Sequence, residues 1–230
     1  MIDYEILKKH KNIALTSSGG ADSSIMLFEL IQTLEQNNAS DINVHIFSLG
    51  HAYKENWNPH VSQGVVRFVI NHFKTSLITN HHIYYAPAAE REYFIKSEAN
   101  MRNNHNITLQ LCATSAAPST EALVENAQGK LIDLCNPCPV PTRQAGNIDG
   151  EAFMHIVPER KEYTSFDLYR PYLHTTKDKL ADIYKKNNLV DTLFPLTRSC
   201  ENFADRTNNY TTHCEDCWWC LERKWAFGKV

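Results

Sequence analysis

The chain has 230 residues, of which 43% are hydrophobic and 21% charged, and its net charge is −3. That balance is ordinary for a globular protein and excludes a disordered chain; it also disfavours a strongly basic nucleic-acid binder. A chain of this length buries about 70% of the surface its unfolded form exposes, so one domain, alone or with a small appendage, needs no disulfide scaffold. No apolar run approaches the roughly 18 residues of a membrane span, and Met1 to Glu5 lacks the pattern of a signal peptide. A cytoplasmic protein without membrane contact is the expectation.

The elements follow in chain order. Asn12 to Thr16 predicts a short strand. It runs into Ser17-Ser18-Gly19-Gly20 and then a helix from about Asp22, whose Leu27, Leu30, Ile31 and Leu34 recur at helical spacing. Asn43 to Leu49 predicts a second strand. A strand, a helix and a strand within so few residues favour a parallel pair with a right-handed crossover. The pattern repeats: a helix over 61–73 with Val65, Val66, Val69 and Phe73 on one face, a strand over 82–85, a helix over 91–100, a strand over 107–112 and a helix over 119–128. Residues 134–150 carry Pro137, Pro139, Pro141, Gly146 and Gly150, which predicts a long loop. A helix over 177–186 follows, with Leu180, Ile183 and Tyr184 inward. The expected fold is α/β, a doubly wound parallel sheet over residues 1–190, with a small cysteine-rich subdomain over 191–230.

Ser18-Gly19-Gly20-Ala21-Asp22-Ser23-Ser24 lies between the first strand and its helix. Glycines let backbone approach an anion closely, and a helix N-terminus offers N–H groups and partial positive charge. Ser18, Ser23 and Ser24 add hydroxyl donors. Asp22 would repel phosphate, so it reads as a Mg²⁺ ligand or a helix cap. Neither the Gly-x-x-x-x-Gly-Lys-Ser/Thr nor the Gly-x-Gly-x-x-Gly signature is present. The segment resembles the PP-loop of the ATP pyrophosphatase superfamily. That resemblance implies ATP binding, AMP transfer to a substrate oxygen and release of pyrophosphate. It also implies adenine contacts at the end of the second strand, at Phe47, Ser48 and Leu49.

The seven cysteines are unevenly placed. Cys112 stands alone. Cys135 and Cys138 form a Cys-x-x-Cys in the proline loop, readable as a redox pair, a metal half-site or two plain loop thiols. Cys200, Cys214, Cys217 and Cys220 have the spacing of a closed, structural Cys₄ zinc site, and the same set also suits an iron–sulfur cluster. Arg198, Arg206, Arg223 and Lys224 lie near enough in sequence to offset its charge. Trp218, Trp219, Trp225 and Phe227 are expected to pack this knuckle onto the main domain, with base stacking as the alternative role. Most of the histidines are expected on the surface or in packing; the His81-His82 pair has no ligand spacing of its own.

Thr197-Arg198-Ser199-Cys200, His213-Cys214, Cys217, Cys220 and Glu222-Arg223 together resemble the tail of 7-cyano-7-deazaguanine synthases, the queuosine-pathway type. Arg170-Pro171-Tyr172-Leu173 and Lys177 are similar to that family's internal segment. The ending Cys217-Trp-Trp-Cys220-Leu-Glu-Arg223 is closer to divergent phage-borne relatives. The resemblance implies an ATP-dependent, carbon–nitrogen bond-forming ligase that converts 7-carboxy-7-deazaguanine to the amide and nitrile, with ammonia as the second substrate. Its cofactors are ATP, Mg²⁺ and Zn²⁺, and a homodimer is within the family's habits. By position, Asp22, Ser23 and Lys177 take catalytic roles. The resemblance implies that Ser18, Gly19, Gly20, Ser23 and Ser24 hold the phosphates with Asp22 on Mg²⁺; Lys177 is a candidate phosphate or pyrophosphate contact, and its position equally allows an exposed helix lysine. The stretch Thr114 to Thr120 departs from the family: it lacks the aspartates, tyrosines and arginine of the deazaguanine pocket. Two rival expectations stand beside this one, a tRNA-modifying enzyme of the thiolation type that uses Cys135 and Cys138, and a non-catalytic zinc-stabilised nucleotide-binding module. Arg143, Asn147 and His155 are candidate substrate contacts in or near the loop.

Overall fold

The computed structural model describes residues 2–51, 57–86, 91–113, 166–172, 175–200 and 202–230. The expectations placed on the helix over 119–128, the proline loop, Thr114 to Thr120, Cys135, Cys138, Arg143, Asn147 and His155 lie outside the described residues. Five strands, β1 (Asn12–Thr16), β2 (Asn43–His51), β3 (Ile78–Ala86), β4 (Leu109–Cys112) and β5 (Asp167–Tyr169), form one sheet in the order β3-β2-β1-β4-β5. Every pairing is parallel. The α-helices among the described residues are α1 (Tyr4–Leu7), α2 (Ala21–Gln36), α3 (Asn58–Phe73), α4 (Arg91–Asn104), α5 (Lys177–Lys186) and α6 (Trp218–Phe227). The α/β doubly wound sheet read from the sequence is therefore the fold. No helix among the described residues is long and apolar enough to cross a membrane.

The strand order reverses direction between β1 and β4, and the two faces of the sheet differ accordingly. On one face Ile13, Leu15, Val44, Ile46, Leu109 and Leu111 join Leu27, Leu30, Ile31 and Leu34 of α2, Val65, Val66 and Val69 of α3 and Leu180 and Tyr184 of α5 in one buried core. The apolar stripes read for α2 and α3 are this surface. On the other face Ala14 and Phe47 meet Met101 of α4 and Ile107. A polar network continues that layer. Gln110 Nε2 donates to Thr16 Oγ1 and to Glu98 Oε1, each at 2.9 Å, and Arg102 Nη1 donates to Gln110 Oε1 at 2.6 Å. A Gln in the middle of a buried parallel strand costs free energy unless its amide is satisfied, and here α4 satisfies it.

Several boundaries differ from the sequence reading. α3 starts at Asn58, because Pro59 is well suited to a first helical turn. β3 extends from Ile78 to Ala86 and α4 to Asn104. β5 was not expected: it has three residues, all half-buried, too short for alternation to register.

Candidate active site

In an open α/β sheet, ligands bind beyond the carboxyl ends of the strands where the order reverses. A cleft of about 190 Å³ lies there, lined by Thr16, Cys112 and Ala113 at the ends of β1 and β4 and by Ser18, Gly20, Ala21, Asp22 and Ser23 of the glycine segment. Trp57 and Asn58 form one further wall, and Arg198, Ser199 and Trp219 another. The volume is below that of pockets that enclose a whole drug-sized ligand, and it suits a pyrophosphate or triphosphate group.

The glycine segment has little freedom. Ser17 N donates to Phe47 O at 2.8 Å, which ties the end of β1 to β2. Gly19 has φ +75°, and a Cβ there would meet Val61 Cγ1 at 2.6 Å and the backbone N of Ser62 at 2.9 Å. Conformation and space both require glycine. Gly20 caps α2 without a side chain, and Gly20 N donates to Ser18 Oγ at 3.2 Å. Arg198 N donates to Gly19 O at 2.9 Å, and Ala21 N to Ser199 Oγ at 3.5 Å. The segment before Cys200 is thus part of the cleft wall.

Ser18 and Ser23 face the cleft, with their Oγ atoms 3.4 Å apart. Ser24 does not: it is fully buried, and its Oγ donates to Gly20 O at 2.8 Å. Phe47, Ser48 and Leu49 also stand apart from the lining. Phe47 packs against Tyr84 and the α4 layer. Ser48 Oγ donates to Ser17 O at 2.7 Å and contacts Ser62 Oγ at 2.8 Å and His81 Nε2 at 2.9 Å. A base contact at this strand end would fall to backbone atoms, because these side chains are used in packing.

Lys177 reaches the cleft floor from the first turn of α5. It is buried, ion-paired with Asp22 and 3.2 Å from Glu222 Oε2 of α6. It is not the exposed helix lysine that its position also allowed. Asp22 correspondingly faces a cation of the chain itself. Arg198 is 5% exposed and lies over the Trp57 ring at 5.2 Å, and its Nη1 donates to Tyr210 O at 3.0 Å. Its Nε and Nη2 are buried and have no partner among the described residues. Arg223 is deeper: it stacks on Phe194 at 4.0 Å, and its Nη1 donates to Thr197 Oγ1 at 2.8 Å. Burial lowers Arg223 to about 10, so it remains a cation at neutral pH. Asp22, Glu222, Lys177, Arg198 and Arg223 together carry a net positive charge around the cleft.

The four C-terminal cysteines converge. Their ligand atoms lie within 4.8 Å of one another, with Cys214 and Cys220 Sγ at 3.8 Å and Cys200 and Cys217 Sγ at 4.0 Å. Thiolates about 2.3 Å from one tetrahedral Zn²⁺ stand about 3.8 Å apart, so the set fits a single ion. Thiolates on separate irons of a larger cluster would stand further apart. Cys214 N donates to Cys200 Sγ at 3.4 Å and Cys217 N to Cys214 Sγ at 3.3 Å, as in a tight metal knuckle, and Glu215 takes φ +66° to turn it. Hydrogen bonds from Cys214, Cys217 and Cys220 hold Cys200 well below the usual thiol range, while bonding to Cys200 pushes Cys217 and Cys220 well above it. A cation between them removes that competition for protons. Phe227 packs on Phe194 and Tyr184, as expected of the tail aromatics, but Trp219 faces the cleft.

No family model matches the chain, and no curated protein matches it. Among solved structures it is similar to the U34-tRNA thiolase NcsA from Methanococcus maripaludis with its 4Fe–4S cluster. The TM-score is 0.45 at 12% identity, over 94% of this chain and 70% of that one.

Trp57 and Asn58 belong to the cleft and carry no functional signal in the sequence; Ser199 stands there only within the tail motif, and Trp219 only among the aromatics of the knuckle. Arg198 is visible in the sequence only within that motif and as a possible counter-charge to the cysteines. Cys112 was visible only as an isolated thiol, and its place at the end of β4 puts it in the wall.

Proposed function

We propose that this chain is an ATP-dependent synthase of the PP-loop class, which transfers AMP to an oxygen of an acceptor and releases pyrophosphate. The observation that carries the reading is Arg198: a buried guanidinium with two nitrogens that have no partner among the described residues, set in a cleft whose other wall is a glycine turn and a helix N-terminus. A buried donor without a partner is costly, and a phosphate oxygen satisfies it. Ser18, Gly20 and Ser23 would hold the β- and γ-phosphates. Lys177 would share its charge between Asp22 and the leaving pyrophosphate. Mg²⁺, when bound, would neutralise phosphate charge, and Asp22 would be the carboxylate that holds it. The cysteine set would hold a structural Zn²⁺ that fixes Arg198 and Ser199 against the loop. Holding the acceptor in line with the α-phosphorus and stabilising developing charge accounts for the catalysis.

For the acceptor we propose the carboxylate, and then the amide, of a flat 7-deazapurine-like heterocycle, with ammonia as nitrogen donor. Trp57 and Trp219 in the cleft wall support a planar ring. A second reading, sulfur transfer to an adenylated carbonyl, is favoured by the thiol of Cys112 in the same wall. The test is mass spectrometry of products from zinc-loaded protein, ATP, Mg²⁺, ammonium and 7-carboxy-7-deazaguanine. AMP, pyrophosphate and amide or nitrile are expected, all lost in Asp22→Ala. ADP with orthophosphate would overturn AMP transfer. AMP formed only with tRNA and a sulfur donor would replace the acceptor.

A further inference from the structure

Three histidines that are far apart in sequence meet on the face of the sheet that α4 covers. His45 stands near the start of β2, His82 on the edge strand β3, and His105 one residue beyond α4. The parallel register pairs His45 with Asn80 and Phe47 with His82, so His45 and His82 point to the same face. The cleft lies at the carboxyl ends of the strands. His45 and the end of α4 lie toward the opposite end, so this group is separate from the nucleotide reading and does not depend on it.

The three rings form a closed triangle. His45 and His82 are parallel within 16°, with centroids 5.8 Å apart; His45 to His105 is 4.7 Å and His82 to His105 is 4.5 Å. One nitrogen from each ring lies within 4.8 Å of the others. His45 is 4% exposed, yet its Nδ1 has only long contacts, 3.5 Å to His82 Nε2 and 3.4 Å to Asn80 Nδ2. A buried imidazole normally finds a shorter partner than these. His82 and His105 are half-buried, which leaves a path from solvent.

The geometry points to a transition-metal site formed by His45 Nδ1, His82 Nε2 and one nitrogen of His105, with a fourth position left to water. Imidazole nitrogens about 2.0–2.1 Å from a tetrahedral Zn²⁺ stand about 3.3 Å apart, close to the His45–His82 separation, and rotation of the rings brings in the third. Three neutral nitrogens and no carboxylate suit a borderline ion such as Zn²⁺ or Co²⁺ rather than Mg²⁺ or Ca²⁺. Bound there, the ion ties the edge strand β3 and the end of α4 to β2. Because α4 carries Glu98 and Arg102, it would brace the network under Thr16 at the cleft.

The experiment counts metal in the full, untagged chain. Wild type loaded with Zn²⁺ and passed through a desalting column should retain two ions per chain. His82→Gln and His105→Gln should each retain one, held by the cysteines. Co²⁺ adds an independent readout: the thiolate site gives near-ultraviolet charge-transfer bands together with its own strong visible bands, and a nitrogen site adds visible absorption with no charge transfer. The visible increment that the second equivalent of Co²⁺ adds without further charge transfer should vanish in His105→Gln while the thiolate bands persist. A half-buried ring at a helix end is replaceable without loss of the fold, and the thermal transition of His105→Gln checks that. One ion in folded wild type, or a second ion that survives both substitutions, overturns the proposal.

Discussion

Lys177 of α5 sits between Asp22 of α2 and Glu222 of α6, and all three are buried. The ammonium thus joins the cleft helix to the helix that carries Cys220. Removing one member of a buried ionic group leaves the others uncompensated, at a cost of about 3–5 kcal/mol. Lys177→Met should therefore lower the denaturant midpoint sharply, and adding Asp22→Asn to the same chain should recover part of the loss. Equal stability of wild type and Lys177→Met would show that the triad is not a structural unit.

Gly19→Ala tests the loop. A left-handed backbone and a 2.6 Å approach to Val61 must both be accommodated, a strain of about 1–3 kcal/mol. Nucleotide affinity should fall at least about tenfold for each 1.4 kcal/mol that the displaced loop loses in binding. Gly64→Ala is the control. It lies in α3 with nothing within 4 Å of the added methyl, and it should stabilise the protein by about 0.5–1 kcal/mol without touching affinity.

Arg198→Met separates binding from folding. If an anion occupies the cleft, pyrophosphate affinity measured by calorimetry should fall by about 1.5–3 kcal/mol, the worth of hydrogen bonds to a charged group. The ligand-free protein should hold or gain stability, because buried donors without partners are removed. Unchanged pyrophosphate binding would sink the anion assignment.

Metal removal should silence the cleft. Arg198 and Ser199 precede Cys200 directly and touch Gly19 and Ala21. If the proposed reading holds, stripping the cysteine-bound metal with a chelator, or Cys217→Ser, should abolish ATP binding while far-ultraviolet circular dichroism retains most of the α/β signal. ATP binding at full affinity by the stripped chain would make the two sites independent.

Acid should weaken the fold through His81. Burial, and then the neighbouring His82, lower it to about 4 from an ordinary 6.5. Ser48 gives its single hydroxyl proton to Ser17 O, so the His81 Nε2 tautomer must donate to Ser48 Oγ. The folded pKa is depressed, so the unfolded chain takes up the proton first. The stabilisation is complete above about 6.5 and drains away as pH falls toward 4, by up to about 1.4 kcal/mol per pH unit before solvent screening is allowed for. Denaturation series between pH 7 and 5 should show a shallower slope in His81→Gln than in wild type.

Much of this was legible in the sequence. Leu27, Leu30, Ile31 and Leu34 announced α2 because a buried helix writes its period into apolar positions. Gly19-Gly20 announced the loop because few residues tolerate its backbone. Cys214, Cys217 and Cys220 announced the knuckle because ligand spacing is local. What stayed hidden depends on long-range register. Nothing in the spacing of His45, His82 and His105 indicates that β2, β3 and the end of α4 bring them together. Trp57 and Trp219 enter one cleft only once α3 and α6 are docked. Ser24 looked like a phosphate donor, but the helix turns it inward, where it bonds to Gly20 O.

The bond from Ala21 N to Ser199 Oγ spans 178 residues. On a ribosome adding about 5–20 residues per second, the glycine turn waits roughly ten to forty seconds for the residues that complete its pocket. During that interval α2 and its strands can pair, but the cleft lacks Arg198, Lys177 and the metal knuckle. The cleft can therefore take no ligand until Lys177, Arg198 and the four cysteines have emerged, so the order of synthesis itself sets when binding can begin.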